Sequence, residues 1–317
     1  MRQLYQEDEM LHTNLLGIEM NTPVLTASGT FGFGEEFADF VDLARLGGVM
    51  VKGTTLKPRR GNDGVRITET PKGMLNCIGL ENPGVAVFLK ETLPRIKAYG
   101  MNVIVNISGS TAEEYGELAG LLDVDGVAAI ELNVSCPNVK EGGIVFGTDP
   151  AAASAVVREA KAHTKKPVIL KLSPNVTDIV TMAKAGEESG ADAISLINTL
   201  LGMEIYIHRY QPVLGNVTGG LSGPCVKPVA VRMVWQVAQA VHIPIIGMGG
   251  IASAEDAVEF FLAGASAVAV GTANFTDPKI TMKICDGLTK YLKKQGFTHI
   301  NEMVGKANPG FLGGAKA

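Results

Sequence analysis

A stretch near the middle of the chain combines residue types that can perform acid–base or nucleophilic chemistry. The apolar run 128–132 predicts a buried strand, and it is followed by Asn133, Ser135, Cys136 and Pro137. The proline ends the strand, so these polar side chains are expected at its carboxyl end. A thiol there can act as a nucleophile or as a general base, and the lack of an obvious histidine partner favours a base acting on an acidic C–H group. The alternative is that Cys136 is a small buried side chain without a chemical role.

Two lysines occur at the ends of other apolar runs. Lys52 closes the run 48–52, and Lys171 lies within the run 167–172. A lysine in an apolar strand is costly to bury unless it is paired, so each is expected to meet an anion or a carbonyl group. Either could instead form a Schiff base with a substrate, or simply extend into solvent.

Four asparagines are predicted at the same level of the fold: Asn76, Asn106, Asn133 and Asn198. An amide both donates and accepts hydrogen bonds, which suits a heterocycle with alternating carbonyl and N–H groups. A single asparagine after a strand is usually a turn former, but four that converge favour a ligand of that kind.

Glycine-rich turns follow the last two apolar runs. Gly249 and Gly250 lie in the first turn, and Gly271 and Thr272 begin the second. Glycines let backbone amides approach a phosphate closely, and the last two loops of a (β/α)8 barrel commonly bind one. The pattern predicts a phosphorylated ligand, with ordinary tight turns as the alternative.

Eight short apolar runs alternate with amphipathic segments, a pattern that predicts parallel strands separated by helices. The predicted strands are 23–27, 48–52, 102–107, 127–133, 167–172, 193–197, 244–247 and 267–270, and the main helices are 111–122, 151–162, 177–189, 228–241 and 253–262. We therefore predict an α/β fold, a (β/α)8 TIM barrel, with a doubly wound open sheet as the competing architecture.

The predicted barrel carries inserted loops after strands 2, 4 and 6, over its C-terminal face. Segments 76–84 and 219–224 lie in the loops after strands 2 and 6, and the glycine-rich segment 141–147 predicts a mobile loop after strand 4. With no compositional break, residues 1–317 are expected to form a single domain, with residues 1–12 flexible.

Charge and cysteine content exclude several classes of protein. A net charge of −4 and a pI near 5.8 do not favour binding to nucleic acid or to a membrane. Cys77, Cys136, Cys225 and Cys285 are far apart, so no metal site is predicted and the thiols are expected to be reduced. With no targeting segment recognised, we predict a cytoplasmic protein.

Several of these motifs together resemble one family. The segment 133–143, with 27–34, 76–84 and the two glycine-rich turns, is similar in sequence and order to dihydroorotate dehydrogenases, from about Leu15 to Leu292. The resemblance implies an FMN enzyme that oxidises dihydroorotate to orotate in de novo pyrimidine (UMP) biosynthesis. Cys136, where the membrane-bound class has serine, implies class 1, and the segment 76–84 resembles the NAD-linked subclass 1B.

The resemblance also implies roles for individual residues. Cys136 would be the base that removes the C5 proton while hydride passes from C6 to FMN. The substrate would be bound by Lys52, Asn76, Cys77, Ile78, Gly79, Leu80, Asn133, Asn198 and Thr199. FMN would be bound by Ser28, Lys52, Gly53, Asn106, Asn133, Lys171, Ile197, Gly223, Gly249, Gly250, Gly271 and Thr272, with Lys171 near the N1/O2 edge of the flavin.

The implied assembly is a homodimer of this chain within a heterotetramer, whose electron-transfer subunit carries FAD and a [2Fe–2S] cluster and passes electrons to NAD. Cys77 departs from the family pattern, in which a small or hydroxyl residue is expected. Three other functions stay open: a dihydropyrimidine dehydrogenase-like flavoenzyme, a fumarate-linked class 1A enzyme, and a flavin-free Schiff-base lyase barrel.

Overall fold

The predicted apolar runs form the strands of a closed barrel in the computed structural model, which describes residues 9–135 and 146–313. Its strands, in chain order, are β1 (Thr13–Leu15), β2 (Ile18–Met20), β3 (Val24–Thr26), β4 (Gly48–Thr54), β5 (Ile67–Thr70), β6 (Gly73–Asn76), β7 (Val103–Ile107), β8 (Ala129–Asn133), β9 (Val168–Lys171), β10 (Ala193–Leu196), β11 (Leu200–Gly202), β12 (Ile205–Tyr206), β13 (Gln211–Pro212), β14 (Gly219–Ser222), β15 (Ile245–Met248) and β16 (Ala267–Val270).

The barrel strands pair in the order β3-β4-β7-β8-β9-β10-β15-β16, and β16 pairs with β3 to close the ring. All eight pairings are parallel. The predicted (β/α)8 barrel is therefore confirmed, and the open sheet is excluded because no barrel strand is left at an edge.

Helices surround this ring. They are α1 (Val85–Val87), α2 (Leu93–Ile96), α3 (Ala112–Leu121), α4 (Pro150–His163), α5 (Ile179–Glu188), α6 (Lys227–Ala238), α7 (Ala254–Ala263), α8 (Ala273–Thr276) and α9 (Ile280–Gln295). The side chains of Thr111, Asp149, Asp178 and Ser253 accept hydrogen bonds from first-turn amides, which fixes where α3, α4, α5 and α7 begin. The five predicted helices are present, with ends shifted by up to three residues. Among the described residues, no helix is both long and apolar enough to cross a membrane.

Side chains inside the barrel form an apolar lower layer and a polar upper layer. Alternate residues of a strand point to the same face, so Ile104 and Asn106, like Ile169 and Lys171, both face the barrel axis. The lower layer belongs to one buried apolar cluster with Leu15, Met20, Leu25, Met50, Ile104, Ala129, Ile169, Ala193, Ile246 and Ala267 among its members. A solid apolar floor thus lies beneath the polar residues at the carboxyl ends of the strands.

The hairpin of β1 and β2 contributes Leu15 and Met20 to that floor. Just before it, Leu11 is buried in the main core, and the Met10 carbonyl accepts a hydrogen bond from the Ile300 amide. The chain is therefore anchored from Met10 onward, earlier than the predicted flexible boundary at residue 12.

The segments expected to be turn-rich loops after strands 2 and 6 contain regular structure. Their strands pair in the order β11-β14-β6-β5, so the two insertions form one antiparallel sheet. The first insertion continues from α1 through a π-helical turn, Phe88–Thr92, into α2 and a 3-10 turn, Lys97–Tyr99. No helix is predicted from the sequence in this stretch. Pro94 occupies a first-turn position of α2, where proline is tolerated.

Candidate active site

A buried glutamate organises the polar upper layer of the barrel. Glu131, on β8, is 0% exposed. Its Oε2 accepts a hydrogen bond from Asn106 Nδ2 at 2.5 Å and one from Lys171 Nζ at 3.4 Å, and its Oε1 accepts one from Ser195 Oγ at 2.7 Å. Lys171 also donates to Ser28 Oγ at 3.1 Å. Two of the predicted ligand residues, Asn106 and Lys171, are therefore held side by side by a third residue.

A second polar cluster lies where strands β8 and β10 end. Asn198 Nδ2 donates to Ser135 Oγ at 2.8 Å and to Asn133 Oδ1 at 3.3 Å. The Asn198 Oδ1 accepts from the Thr199 amide at 2.7 Å, and Tyr115 Oη donates to the Asn133 carbonyl at 2.7 Å. The structure brings together three of the predicted substrate residues and fixes the orientation of both amides.

The segment 76–80, predicted to contact a substrate, begins at the end of β6. Asn76 Nδ2 donates to the Gly220 carbonyl of β14 at 3.4 Å. Gly79 and Leu80 both have positive φ angles, 80° and 57°, and leucine rarely adopts that conformation. A Cβ at Gly79 would lie 2.7 Å from Asn62, so only glycine fits this turn.

The side chain of Cys77 lies in the inserted sheet. It is 8% exposed, packs with Leu75 and Leu214 in a small apolar cluster, and its thiol lies 3.6 Å from the Val65 carbonyl. Its carbonyl accepts a hydrogen bond from Asn62 Nδ2 at 2.9 Å. The Cys77 side chain therefore serves the packing of the inserted sheet.

Asn82 links the turn at Gly79 and Leu80 to the end of β4 through hydrogen bonds. Its Oδ1 accepts from the amides of Gly84 at 2.8 Å and Thr55 at 3.2 Å. Its Nδ2 donates to the Leu80 carbonyl at 2.8 Å and to Thr55 Oγ1 at 2.9 Å. With all four hydrogen bonds made in a side chain that is 5% exposed, Asn82 determines the path of the chain from Leu80 to Gly84.

Lys52 lies on β4 where the register with β7 shifts between Val51 and Thr54. Its side chain is half-buried. A hydrogen bond from Arg66 lowers the pKa of the Glu81 carboxyl, and the positive charges of Arg66 and Lys52 lower it further. A Cβ on the next residue, Gly53, would lie 3.3 Å from the Leu80 side chain, so this end of β4 lies beside the segment 76–84.

The two glycine-rich turns follow neighbouring barrel strands, β15 and β16. Gly249 and Gly250 have φ angles of 123° and 79°, and a Cβ at Gly250 would lie 2.8 Å from the Lys227 amide nitrogen and 2.9 Å from the Gly223 carbonyl oxygen. Thr272 Oγ1 donates to Ser222 Oγ at 2.8 Å. The turns precede the first residues of α7 and α8, so amide donors gather where a phosphate is expected.

Three observations show that the residues of the mouth fit a flavin. Asn106 Oδ1 is buried and has no hydrogen-bond partner among the described residues, so it can accept a hydrogen bond from a ligand. Gly53 leaves space between Asn106 and Leu80, since a Cβ there would lie 3.0 Å from Asn106 Oδ1 and 3.3 Å from Leu80. Ile197, which is almost fully buried, lies against Gly249. A planar ring with both polar and apolar edges suits this lining.

The predicted catalytic residue, Cys136, lies outside the described residues, as does most of the glycine-rich segment 141–147. Asn133 and Ser135, described up to that point, bring the chain to the barrel mouth. Among the described residues, no group of three His, Cys, Asp or Glu side chains could hold a metal ion.

Sequence reasoning missed Glu131, Ser195 and Asn82. Glu131 is the only charged residue between Asp125 and Lys140, a signal that could have marked it. Asn82 lay inside a recognised motif, but its role depends on contacts to Thr55, which is distant in sequence. Ser195 gives no signal, because a serine in an apolar strand is common.

Comparison with known proteins gives a consistent result. A sequence model of the family described as dihydroorotate dehydrogenase matches residues 10–292. The chain is similar to three proteins named dihydroorotate dehydrogenase B (NAD(+)), catalytic subunit. Identity is 56% over 296 residues with that of Bacteroides thetaiotaomicron, covering 93% of this chain and 98% of the relative. It is 58% over 293 residues for Pelobacter propionicus and 59% over 292 residues for Desulforamulus reducens, each covering 92% of this chain and 96% of the relative.

Proposed function

Since the chain belongs to the dihydroorotate dehydrogenase family, we propose that it oxidises dihydroorotate to orotate, a step of pyrimidine nucleotide synthesis. The observation that carries this proposal is the convergence of Lys171, Asn106, Asn133 and Asn198 at one barrel mouth above an apolar floor. An enzyme that acts on a polar heterocycle against a flat cofactor needs this set of donors and acceptors on a rigid support.

The pyrimidine ring is bound by the amides at the strand ends. Asn133 and Asn198 hold each other and Ser135 in fixed orientations, so their remaining polar groups meet the alternating carbonyl and N–H groups of the ring. Lys52 provides positive charge near segment 76–84, and we assign it to the carboxylate that distinguishes dihydroorotate from dihydrouracil. Asn76 reaches the same space from β6.

Lys171, Asn106 and Gly53 would hold the ring of FMN, and the two glycine-rich turns would hold its phosphate. When bound, FMN would supply the acceptor for the hydride from C6 of the substrate. Lys171 supplies a positive charge, which favours a ring that gains negative charge on reduction. Gly249, Gly250, Gly271 and Thr272 supply backbone amides and a hydroxyl group for the phosphate.

Cys136 removes the proton from C5 of the substrate. It follows Ser135 directly in the chain, and Ser135 is hydrogen-bonded to Asn133 and Asn198.

Electrons pass on to NAD through another subunit, as the word "subunit" in the names of the relatives supports. We propose that this partner carries FAD and a [2Fe–2S] cluster, and that two copies of this chain form the centre of a cytoplasmic heterotetramer. Exposed apolar side chains on β11 and in the segment that follows it support an assembly: Leu201 is 65% exposed, Ile207 68% and Tyr210 92%.

The test begins with the purified chain. It should be yellow with one FMN per chain, and anaerobic dihydroorotate should bleach the flavin while dihydrouracil should not. A folded, colourless chain that never takes up FMN would overturn the proposal in favour of a flavin-free lyase. The structure argues against that lyase, because Lys171 is ion-paired with Glu131 and a Schiff base requires a free amine. Bleaching by dihydrouracil would favour the dihydropyrimidine dehydrogenase alternative.

The acceptor is tested by assaying NAD and fumarate with the chain alone and with its native co-purifying proteins. NAD reduction that requires the flavin and iron–sulfur partner would support subclass 1B. Turnover with fumarate by the chain alone would instead assign it to subclass 1A.

A further inference from the structure

Glu131 is a buried carboxylate that the proposed mechanism does not use. It is 0% exposed, lies one layer above the apolar floor, and contacts Asn106, Lys171 and Ser195 from three other strands. An ion pair buried in this way is weak evidence for stability, because well-packed apolar residues would often serve the fold as well. A role in the site explains its position better.

A carboxylate can only accept hydrogen bonds, and this determines how its neighbours are turned. Asn106 must direct its Nδ2 at Glu131, which leaves its Oδ1 facing away, and that oxygen is buried without a partner among the described residues. Lys171 is drawn to the same carboxylate oxygen and to Ser28 Oγ. Ser195 donates its hydroxyl hydrogen to the other oxygen of the carboxylate.

We propose that Glu131 is a positioning residue for the cofactor: it fixes the Asn106 amide with its oxygen outward and holds the Lys171 ammonium beside it. The inference rests on the proposed function, because the ligand that meets this acceptor and this donor is FMN. A buried carbonyl oxygen without a donor lowers stability, so its presence here indicates that a ligand N–H or O–H group completes it.

The first test is Glu131→Gln, which keeps the size of the side chain. A glutamine can also donate a hydrogen bond, so the Asn106 amide is no longer held in one orientation, and Lys171 loses its counterion. We expect FMN to bind at least about tenfold more weakly, in a fluorescence titration of the flavin-free protein, with a shift of the visible absorption bands of the bound flavin.

Asn308→Ala is the matched control. Asn308 is another buried asparagine, bonded to the carbonyls of Trp235 and Ala263 near the ends of α6 and α7, and its loss should lower the melting temperature without changing the dissociation constant or spectrum of FMN. If Glu131→Gln behaves in the same way as this control, Glu131 serves only the fold and the proposal is overturned.

A second set of variants covers the case in which Glu131→Gln does not fold. The double variant Glu131→Leu/Lys171→Met buries no charge and keeps similar volume, so it is expected to fold. Asn106→Ala should weaken FMN binding about tenfold in the wild-type chain. In the double variant the loss should be less than about threefold, because Glu131 is absent and no longer fixes the orientation of the Asn106 amide. Equal losses in the two backgrounds would overturn the proposal.

The outcomes also separate this inference from the proposed function. A wild-type chain that binds FMN and is bleached by dihydroorotate, with unchanged FMN binding in the Glu131 variants, would refute the inference alone. A wild-type chain that binds no flavin would refute both.

Discussion

Replacing Asn82 by alanine should loosen the substrate segment while leaving the barrel intact. Asn82 makes four hydrogen bonds, two to the amides of Thr55 and Gly84 and two to oxygens of Thr55 and Leu80. Each is worth about 1 kcal/mol net, and water entering the vacated space recovers part of the loss, so we expect a destabilisation of about 2–4 kcal/mol. For a chain of this length that corresponds to a fall in melting temperature of about 3–6 °C.

The effect on function should be local. Leu80 is held at a positive φ by its hydrogen bond to Asn82, so the turn that follows Asn76 relaxes when that bond is lost. The KM for dihydroorotate should rise about tenfold, while the dissociation constant of FMN changes little because the glycine-rich turns are untouched.

The assay combines a thermal melt, an FMN titration and steady-state kinetics. Asn21→Ala is the control, since Asn21 is exposed and makes a single hydrogen bond to the Ala44 carbonyl, so its loss should cost less than about 1 kcal/mol. The reasoning is refuted if Asn82→Ala melts within 1 °C of wild type, taken as roughly the scatter of a melt, or if FMN binding weakens as much as substrate binding.

Three further predictions concern other parts of the chain. Burial of Asp256 acts to raise its pKa, but hydrogen bonds from Lys227, the Ala252 amide and Ser253 outweigh burial, so the pKa is lowered. The ionised Asp256 therefore stabilises the fold above its unfolded pKa of about 3.9. This stabilisation is lost as the pH falls through the folded pKa. Asp256→Asn should therefore melt below wild type at pH 7, and the gap should close below about pH 4. Burial raises the pKa of the Cys285 thiol to about 11, so iodoacetamide at pH 8 should modify the exposed Cys225 and spare Cys285 in peptide mass spectra; equal labelling would contradict the packing. Cys136→Ser should keep FMN and orotate binding but lose most dihydroorotate oxidation at neutral pH, because serine is a poorer base than a thiol of pKa about 8.5, and an unchanged rate would remove Cys136 from the mechanism.

The barrel could be predicted from sequence because each of its strands is marked by residues within or next to that strand. Each barrel strand is an apolar run bounded by glycine, proline or asparagine, and the parallel order follows from the alternation with helices. Asn133, Lys171 and Asn198 could be placed for the same reason, since parallel strands bring their carboxyl ends to one face. The glycine-rich turns were visible because their residue type is itself the signal.

The inserted sheet and the glutamate network could not be predicted, because each depends on partners distant in sequence. Asn76 bonds to Gly220, 144 residues away. Both strands of that pair have only four residues, and two of the four in β14 are glycine, so neither shows a strand pattern. Glu131 finds its partners 25, 40 and 64 residues away. The local sequence around Glu131 does not show that Lys171 and Asn106 bind its carboxylate in the folded chain.

The pairing of β6 with β14 has a consequence for anyone who recombines members of this family. The strand that delivers Asn76 is hydrogen-bonded to the strand that runs into Ser222, whose hydroxyl accepts from Thr272. The two insertions therefore form one structural unit that should be exchanged as a whole, although about 140 residues of chain separate them. A chimera that exchanges one insertion alone joins two mismatched halves of a sheet, whereas exchanging both together keeps every pairing.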